Sequence, residues 1–248
     1  MSKRKEQWTS HRVGRQVTVV RWGEFGTPVL LFPTAGGDAE EVERFHMIDA
    51  LGGLLAEGRI KVYSVDSVAA QRWLGEQRTT TFAGRVHNEY DEFLVHEVVP
   101  FIRADCGGDP GREVIAAGAS IGAFNALASL CRHPDVFAQA VCMSGTYDLT
   151  RFLSGPVDAE LYRASPLHFL PGLPEGPHLA RLRTRFVLLL HGEGRAESPE
   201  ESWKVAHALG ARGVPNRVVS WGRDWPHDWV TWRRMLPQYL SELVPAPR

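Results

Sequence analysis

Two runs, "VLLF" at 29–32 and "FVLLL" at 186–190, are apolar at every position. A strand with one face in water alternates apolar and polar residues, so unbroken runs this short belong to strands buried on both faces. Strands of that kind sit in parallel sheets covered by helices, and the rest of the chain keeps the same rhythm. Further β-rich runs fall at 16–22, 60–65, 113–117, 138–143 and 216–221, beside 28–32 and 185–190. Between them, segments of helical period fall at 40–56, 88–103, 121–131, 199–211 and 228–243. The expected architecture is α/β: a mostly parallel central sheet flanked by helices on both faces. At 248 residues this is expected to be one domain, 1–248. One stretch breaks the rhythm. Residues 144–184 carry Pro156, Pro166, Pro171, Pro174 and Pro177 and read as an irregular excursion over the sheet, part of a substrate pocket.

Charge excludes several partners. Lys plus Arg number 28 against 29 Asp plus Glu, a formal charge of -1, so no basic field exists to gather nucleic acid or anionic lipid. The basic opening "MSKRKEQWTSHR" lacks the apolar core of a signal peptide, and no apolar run reaches the roughly eighteen residues of a membrane span. The chain is read as cytoplasmic, with a small molecule as its partner. Cys106, Cys131 and Cys142 have no metal-like spacing and read as free thiols. Neither G-x-G-x-x-G nor a Walker lysine is present, so no cofactor and no metal is expected.

The chemistry is carried by "GASIGAFNAL" at 118–127. Its Gly-x-Ser-x-Gly follows a buried strand and opens a helix. A nucleophile elbow needs that context, with small flanking residues so that a strained turn forms without Cβ clashes. The turn lifts the Ser120 hydroxyl off the sheet and sets it at a helix N-terminus, where the amide of Ile121 can face a developing oxyanion.

Serine needs a base. His227, in "WGRDWPHDW", lies after the last strand and before the last helix, where this order of elements returns a base to the elbow; His168 and His191 are the other candidates. A third group must orient the imidazole. In "HGEGRAESPEES", Ser198, Pro199 and Glu201 read as a helix cap, first-turn proline and capping-box glutamate. That leaves Glu197 as the favoured acid, with Glu193 and the more distant Asp148 as alternatives; Asp228 adjoins His227 and points away from it. The second oxyanion donor is expected from "LLFPTAGGDAEE", at the amide of Ala35, or else of Thr34 or Gly36. Trp73, Tyr147, Trp225 and Trp229 are candidates for shaping the acyl or alcohol pocket.

The segments "LLFPTAGGDAEE", "KVYSVDS", "HNEYDEFLVHEVVPFIR", "GASIGAFNAL", "HPDVFAQAVCMSGTYDL" and "PHDWVTWRRMLPQYL" follow one another as in the esterases of the α/β-hydrolase superfamily. The chain resembles the branch containing esterase D, feruloyl esterases and bacterial mycolyltransferases. The resemblance implies the α/β-hydrolase fold and a Ser, acid, His order, carried here by Ser120, an acid in the 193–201 loop and His227, with Ala35 and Ile121 at the oxyanion hole. The acid loop lacks the Gly-x-x-Asp of many relatives, and "FPTAGG" stands where His-Gly is usual. The expected activity is cleavage of a small-molecule carboxylic ester through an acyl-enzyme. An acyltransferase sharing that intermediate, and a binding module on a hydrolase scaffold, are the alternatives.

Overall fold

The computed structural model describes residues 2–246. Eight strands form one sheet: β1 (Lys3–Ser10), β2 (Arg15–Trp22), β3 (Thr27–Phe32), β4 (Ile60–Val65), β5 (Val114–Ala119), β6 (Phe137–Met143), β7 (Phe186–His191) and β8 (Asn216–Ser220). Their order across the sheet is β1-β2-β4-β3-β5-β6-β7-β8. β1 pairs with β2, and β2 with β4, antiparallel; every later pair is parallel. The C-terminal ends of β3, β5, β6, β7 and β8 therefore share one edge, and the loops leaving them meet there.

The unbroken apolar runs are two-sided, as expected. In β7, Val187 and Leu189 enter one core while Leu188 and Leu190 enter the other. The first core is packed under α4 (Val68–Gly75), α5 (Thr80–Phe93), α6 (Val99–Asp105), α7 (Ile121–Arg132) and α11 (Pro199–Ala211). The second lies under α1 (Glu41–Arg44), α2 (Met47–Ala50), α3 (Gly52–Ala56) and α12 (Trp229–Leu243).

Several expectations need correction. β1, "KRKEQWTS", gave no apolar signal because it is an edge strand with most side chains in water; its pairing with β2 defines it. The helix expected at 40–56 is three short turns, α1 to α3, broken at His46, whose backbone is left-handed at φ 59°. The helix expected at 88–103 starts earlier, where Thr79 Oγ1 accepts the Phe82 amide at 3.2 Å. It then runs on through a wider π turn at Leu94–Val98 into α6, the ladder changing just before Pro100, which has no amide hydrogen to give. Residues 144–184 are less irregular than their prolines suggest. They hold α8 (Ala159–Ala164), α9 (Pro166–Phe169) and α10 (Pro177–Leu182), and Phe169, Leu170, Leu179 and Leu182 thicken the first core. The start of that segment reaches the edge where the loops meet, the Thr146 amide donating to the Ser120 carbonyl at 3.2 Å.

Candidate active site

At Ser120 the chain passes from β5 to α7 with φ 56° and ψ −122°. A serine holds such a backbone only under constraint, at a cost of about 1–3 kcal/mol. The constraint is visible. The Ser120 amide donates to the Met143 carbonyl at 3.0 Å, and its own carbonyl accepts the amides of Ala123 at 3.1 Å and Thr146 at 3.2 Å. A Cβ at Gly118 would fall 2.4 Å from the Gly122 backbone, and one at Gly122 would fall 2.7 Å from the carbonyl oxygens of Phe32 and Pro33. Glycine at both positions therefore lets β5, α7 and the end of β3 close together, with Ser120 partly exposed above them. Ile121 is the first residue of α7, so its amide has no intrahelical acceptor.

The β3 loop faces the same edge. Its Thr34 amide is already taken by Glu41 at 2.6 Å, so Thr34 drops out as an oxyanion donor. The amide of Ala35, on an exposed residue, meets no acceptor among the described residues.

His227 and Glu197 come together from the loops after β8 and β7. The His227 amide donates to the Arg195 carbonyl at 3.0 Å, and its ring meets Trp232 edge-on at 5.1 Å. Its Nδ1 lies 4.0 Å from Glu197 Oε2, and among the described residues no other carboxylate comes as near to this ring. Burial pushes the imidazole pKa down, while the charges of Glu197 and Asp228 oppose that shift. The Glu197 side chain is only 1 % exposed. Its Oε1 accepts the Ser144 hydroxyl at 2.5 Å, and Ser144 Oγ accepts the indole N–H of Trp232 at 2.9 Å. Because Ser144 follows the Met143 carbonyl that holds Ser120, contacts run from Ser120 to His227: Ser120, Met143, Ser144, Glu197, His227.

The alternative acids lie elsewhere. Glu193 Oε1 accepts the Ser220 hydroxyl at 2.6 Å, in an exposed position. Asp148 caps a short turn through the Thr150 amide at 3.2 Å and faces Lys204 Nζ at 3.5 Å. Asp228 caps α12 through the Val230 amide at 3.1 Å. Of the alternative bases, His191 is buried with Nδ1 on the Gly192 carbonyl at 2.8 Å, and burial lowers the pKa of the half-buried His168.

Glu201 is not a capping-box residue: Ser198 makes no side-chain cap. Its carboxylate is 1 % exposed and reaches back to the amides of Tyr147 at 3.1 Å and Asp148 at 2.8 Å, with Lys204 Nζ at 2.8 Å. It thus pins the turn that carries Ser144 and Thr146. Among the proposed pocket aromatics, Trp73 is buried in the first core with its N–H on His87 Nε2 at 3.2 Å, and Tyr147 is buried there too. Neither is open to a ligand, since each fills space between sheet and helices. Trp225 and Trp229 are partly exposed, Trp225 edge-on to Trp221 at 4.8 Å and Trp229 stacked flat on Phe45 at 4.9 Å. Ser144 and Trp232 were not foreseen. A serine directly after the strand beside the nucleophile strand was the one signal for Ser144; nothing in the sequence marks Trp232.

Comparison with known proteins decides the family. The family described as "Putative esterase" matches residues 59–243. The chain belongs to this esterase family. As a member, the esterase is a carboxylic ester hydrolase, and its sheet, shared with the solved structures it resembles, is that of the α/β-hydrolase fold. No curated protein matches its sequence. Among solved structures it is similar to a ferulic acid esterase, with 18% identity, 98% of this chain and 97% of that one covered, and a TM-score of 0.74. It is similar to an S-formylglutathione hydrolase from Agrobacterium tumefaciens at 13% identity, over 98% and 95% of the two chains, with a TM-score of 0.73. Mycobacterium tuberculosis MPT51 matches at 18% identity over 100% of both chains, with a TM-score of 0.71. At these identities the likeness is one of fold. Among the described residues no three His, Cys, Asp or Glu side chains group as a metal site, and no helix is long and apolar enough to cross a membrane.

Proposed function

We propose that this esterase works through an acyl-enzyme on Ser120, with His227 as general base and then general acid, Glu197 orienting the imidazole, and the amides of Ala35 and Ile121 as the oxyanion hole. The observation that carries the reading is the strained Ser120 backbone on the same sheet edge as the half-buried His227 facing the buried Glu197. His227 takes the hydroxyl proton as Ser120 attacks the ester carbonyl, and the tetrahedral oxyanion is met by the two amides. The imidazolium returns the proton to the leaving alcohol. Water, deprotonated by His227, then attacks the acyl-enzyme, and collapse of the second tetrahedral intermediate frees the acid and Ser120. A 4.0 Å separation between Nδ1 and Oε2 is compatible with this role, since catalytic hydrogen bonds tighten in the transition-state complex.

In this reading the chain is one domain, and the 144–184 segment forms a wall of the site through its first turn. Small-molecule esters are the substrates, and Trp225 and Trp229 are the aromatics placed to meet them. The free thiols Cys106, Cys131 and Cys142 fit a cytoplasmic setting. A panel of esters of graded acyl length, run on the purified protein with and without added alcohols, tests the proposal. Acid release that persists with alcohol present supports hydrolysis. Conversion to new esters would point to acyl transfer, and no turnover of any ester would leave a binding module.

A further inference from the structure

Glu41 is a buried carboxylate that the reaction itself does not use. It stands at the start of α1, 7% exposed, and both of its oxygens are occupied by one residue of the β3 loop. Oε2 accepts the Thr34 amide at 2.6 Å and Oε1 accepts the Thr34 hydroxyl at 2.8 Å. The loop is moulded to the carboxylate: a Cβ at Gly37 would fall 2.5 Å from Glu41 Cδ and from Oε2. Burial raises the Glu41 pKa, and the two bonds from Thr34 hold it back toward the charged form.

The next peptide is fixed by the same fold of the loop. The Thr34 carbonyl accepts the Gly37 amide at 3.1 Å, closing a turn in which Gly36 takes φ 74°. In a trans peptide the N–H points opposite the C=O. With the Thr34 carbonyl held inside the turn, the Ala35 N–H that shares its plane is turned outward, where it meets no acceptor among the described residues. Gln71 Nε2 supports the far side of the turn at the Gly37 carbonyl, 3.0 Å away, and the Ser67 amide donates to that carbonyl at 3.0 Å.

We infer that Glu41 is a positioning residue for the oxyanion hole, holding Thr34 so that the Thr34–Ala35 peptide presents its N–H to the reacting carbonyl. The inference rests on the proposal that Ala35 supplies one of the two donors. Glu41 touches no substrate. Its effect is preorganisation, which matters in the transition state and little in substrate binding.

The test is a set of variants followed by steady-state kinetics on one ester, with thermal unfolding as the check on folding. Glu41→Leu, which removes both acceptors, is expected to lower kcat about 30- to 100-fold with KM within about threefold. Glu41→Gln can accept the Thr34 amide and donate to the Thr34 hydroxyl, and is expected to keep kcat within about threefold of the parent. Thr34→Val removes one bond and is expected to cost about three- to tenfold. Ala35→Pro deletes the N–H itself, and adding Glu41→Leu to it is expected to cost little more, because both changes disable the same donor.

A Glu41→Leu protein with parental kcat, alongside a large loss in Ala35→Pro, would overturn the inference and leave the oxyanion hole standing. A parental kcat in Ala35→Pro would instead remove Ala35 from the hole, and this inference with it. If Glu41→Leu fails to fold, Thr34→Val and Glu41→Gln decide: a kcat loss in the first and its retention in the second support the role, and a fully active Thr34→Val refutes it.

Discussion

The Ser144 hydroxyl donates to Glu197 Oε1 at 2.5 Å, leaving Oε2 as the oxygen that faces His227 Nδ1. A buried carboxylate with one oxygen tied can turn only the other toward the ring. Ser144 also accepts from Trp232, and Trp232 packs against His227, so Glu197 and His227 are steadied through the same two side chains. Ser144→Ala is therefore expected to reduce kcat by about tenfold with KM nearly unchanged, measured on any ester the protein turns over.

The nucleophile is checked by a fluorophosphonate probe with peptide mapping. Labelling is expected on Ser120 and is expected to vanish in Ser120→Ala, together with turnover and without loss of fold. Labelling at another serine would remove Ser120 from the role.

The proposed base sets the expected acid limb. His227 must be neutral to accept a proton, and burial holds its pKa below the ordinary value of 6.5. kcat/KM is expected to rise with pH through one ionisation below that value and to stay flat above it. Glu197 favours the charged ring, so Glu197→Gln is expected to move this limb to still lower pH. The same depression affects folding. Between the folded value and 6.5 the unfolded chain binds more protons, so stability falls as pH drops through that window, which calorimetry across pH reads directly.

Replacing the acid separates the three candidates. Glu197→Gln is expected to lower kcat by about a thousandfold or more with little change in KM, because the imidazole loses its fixed tautomer. Glu193→Gln and Asp148→Asn are expected to be mild. A thousandfold loss in either of them beside a near-silent Glu197→Gln would reassign the acid.

Glu201→Ala is expected to act on both stability and rate. It strands the buried amide of Tyr147 and the part-buried amide of Asp148, at about 1–3 kcal/mol, and loosens the turn that holds Ser144 on Glu197 and Thr146 on Ser120. Thermal unfolding beside kcat distinguishes this from a simple cap loss, which would leave the rate alone.

What the sequence discloses and what it hides have physical causes. The parallel strands announce themselves because burial on both faces leaves no polar position, as in 186–190. The elbow is legible because close approach of β5 and α7 admits only glycine at 118 and 122. Glu201 misleads because "SPEE" is a local capping pattern, whereas its carboxylate answers amides 53 and 54 residues away in the chain. Trp73 and Tyr147 mislead because an aromatic beside a motif looks the same in sequence whether it faces core or solvent. Glu41 is silent for the same reason as Ser144: each is defined by a partner that only the folded loops bring near.

The flat contact between Phe45 and Trp229 has a mechanical meaning. Phe45 ends α1, downstream of the β3 loop, and Trp229 begins α12, just beyond His227; Arg233 Nη1 adds a second tie to the Phe45 carbonyl at 2.8 Å. These ties fasten the segment after the β3 loop to the segment after His227, as a rivet joins two plates. With the two segments unfastened, Phe45→Ala is expected to broaden the range of esters accepted while slowing each of them, read as kcat/KM across an ester panel.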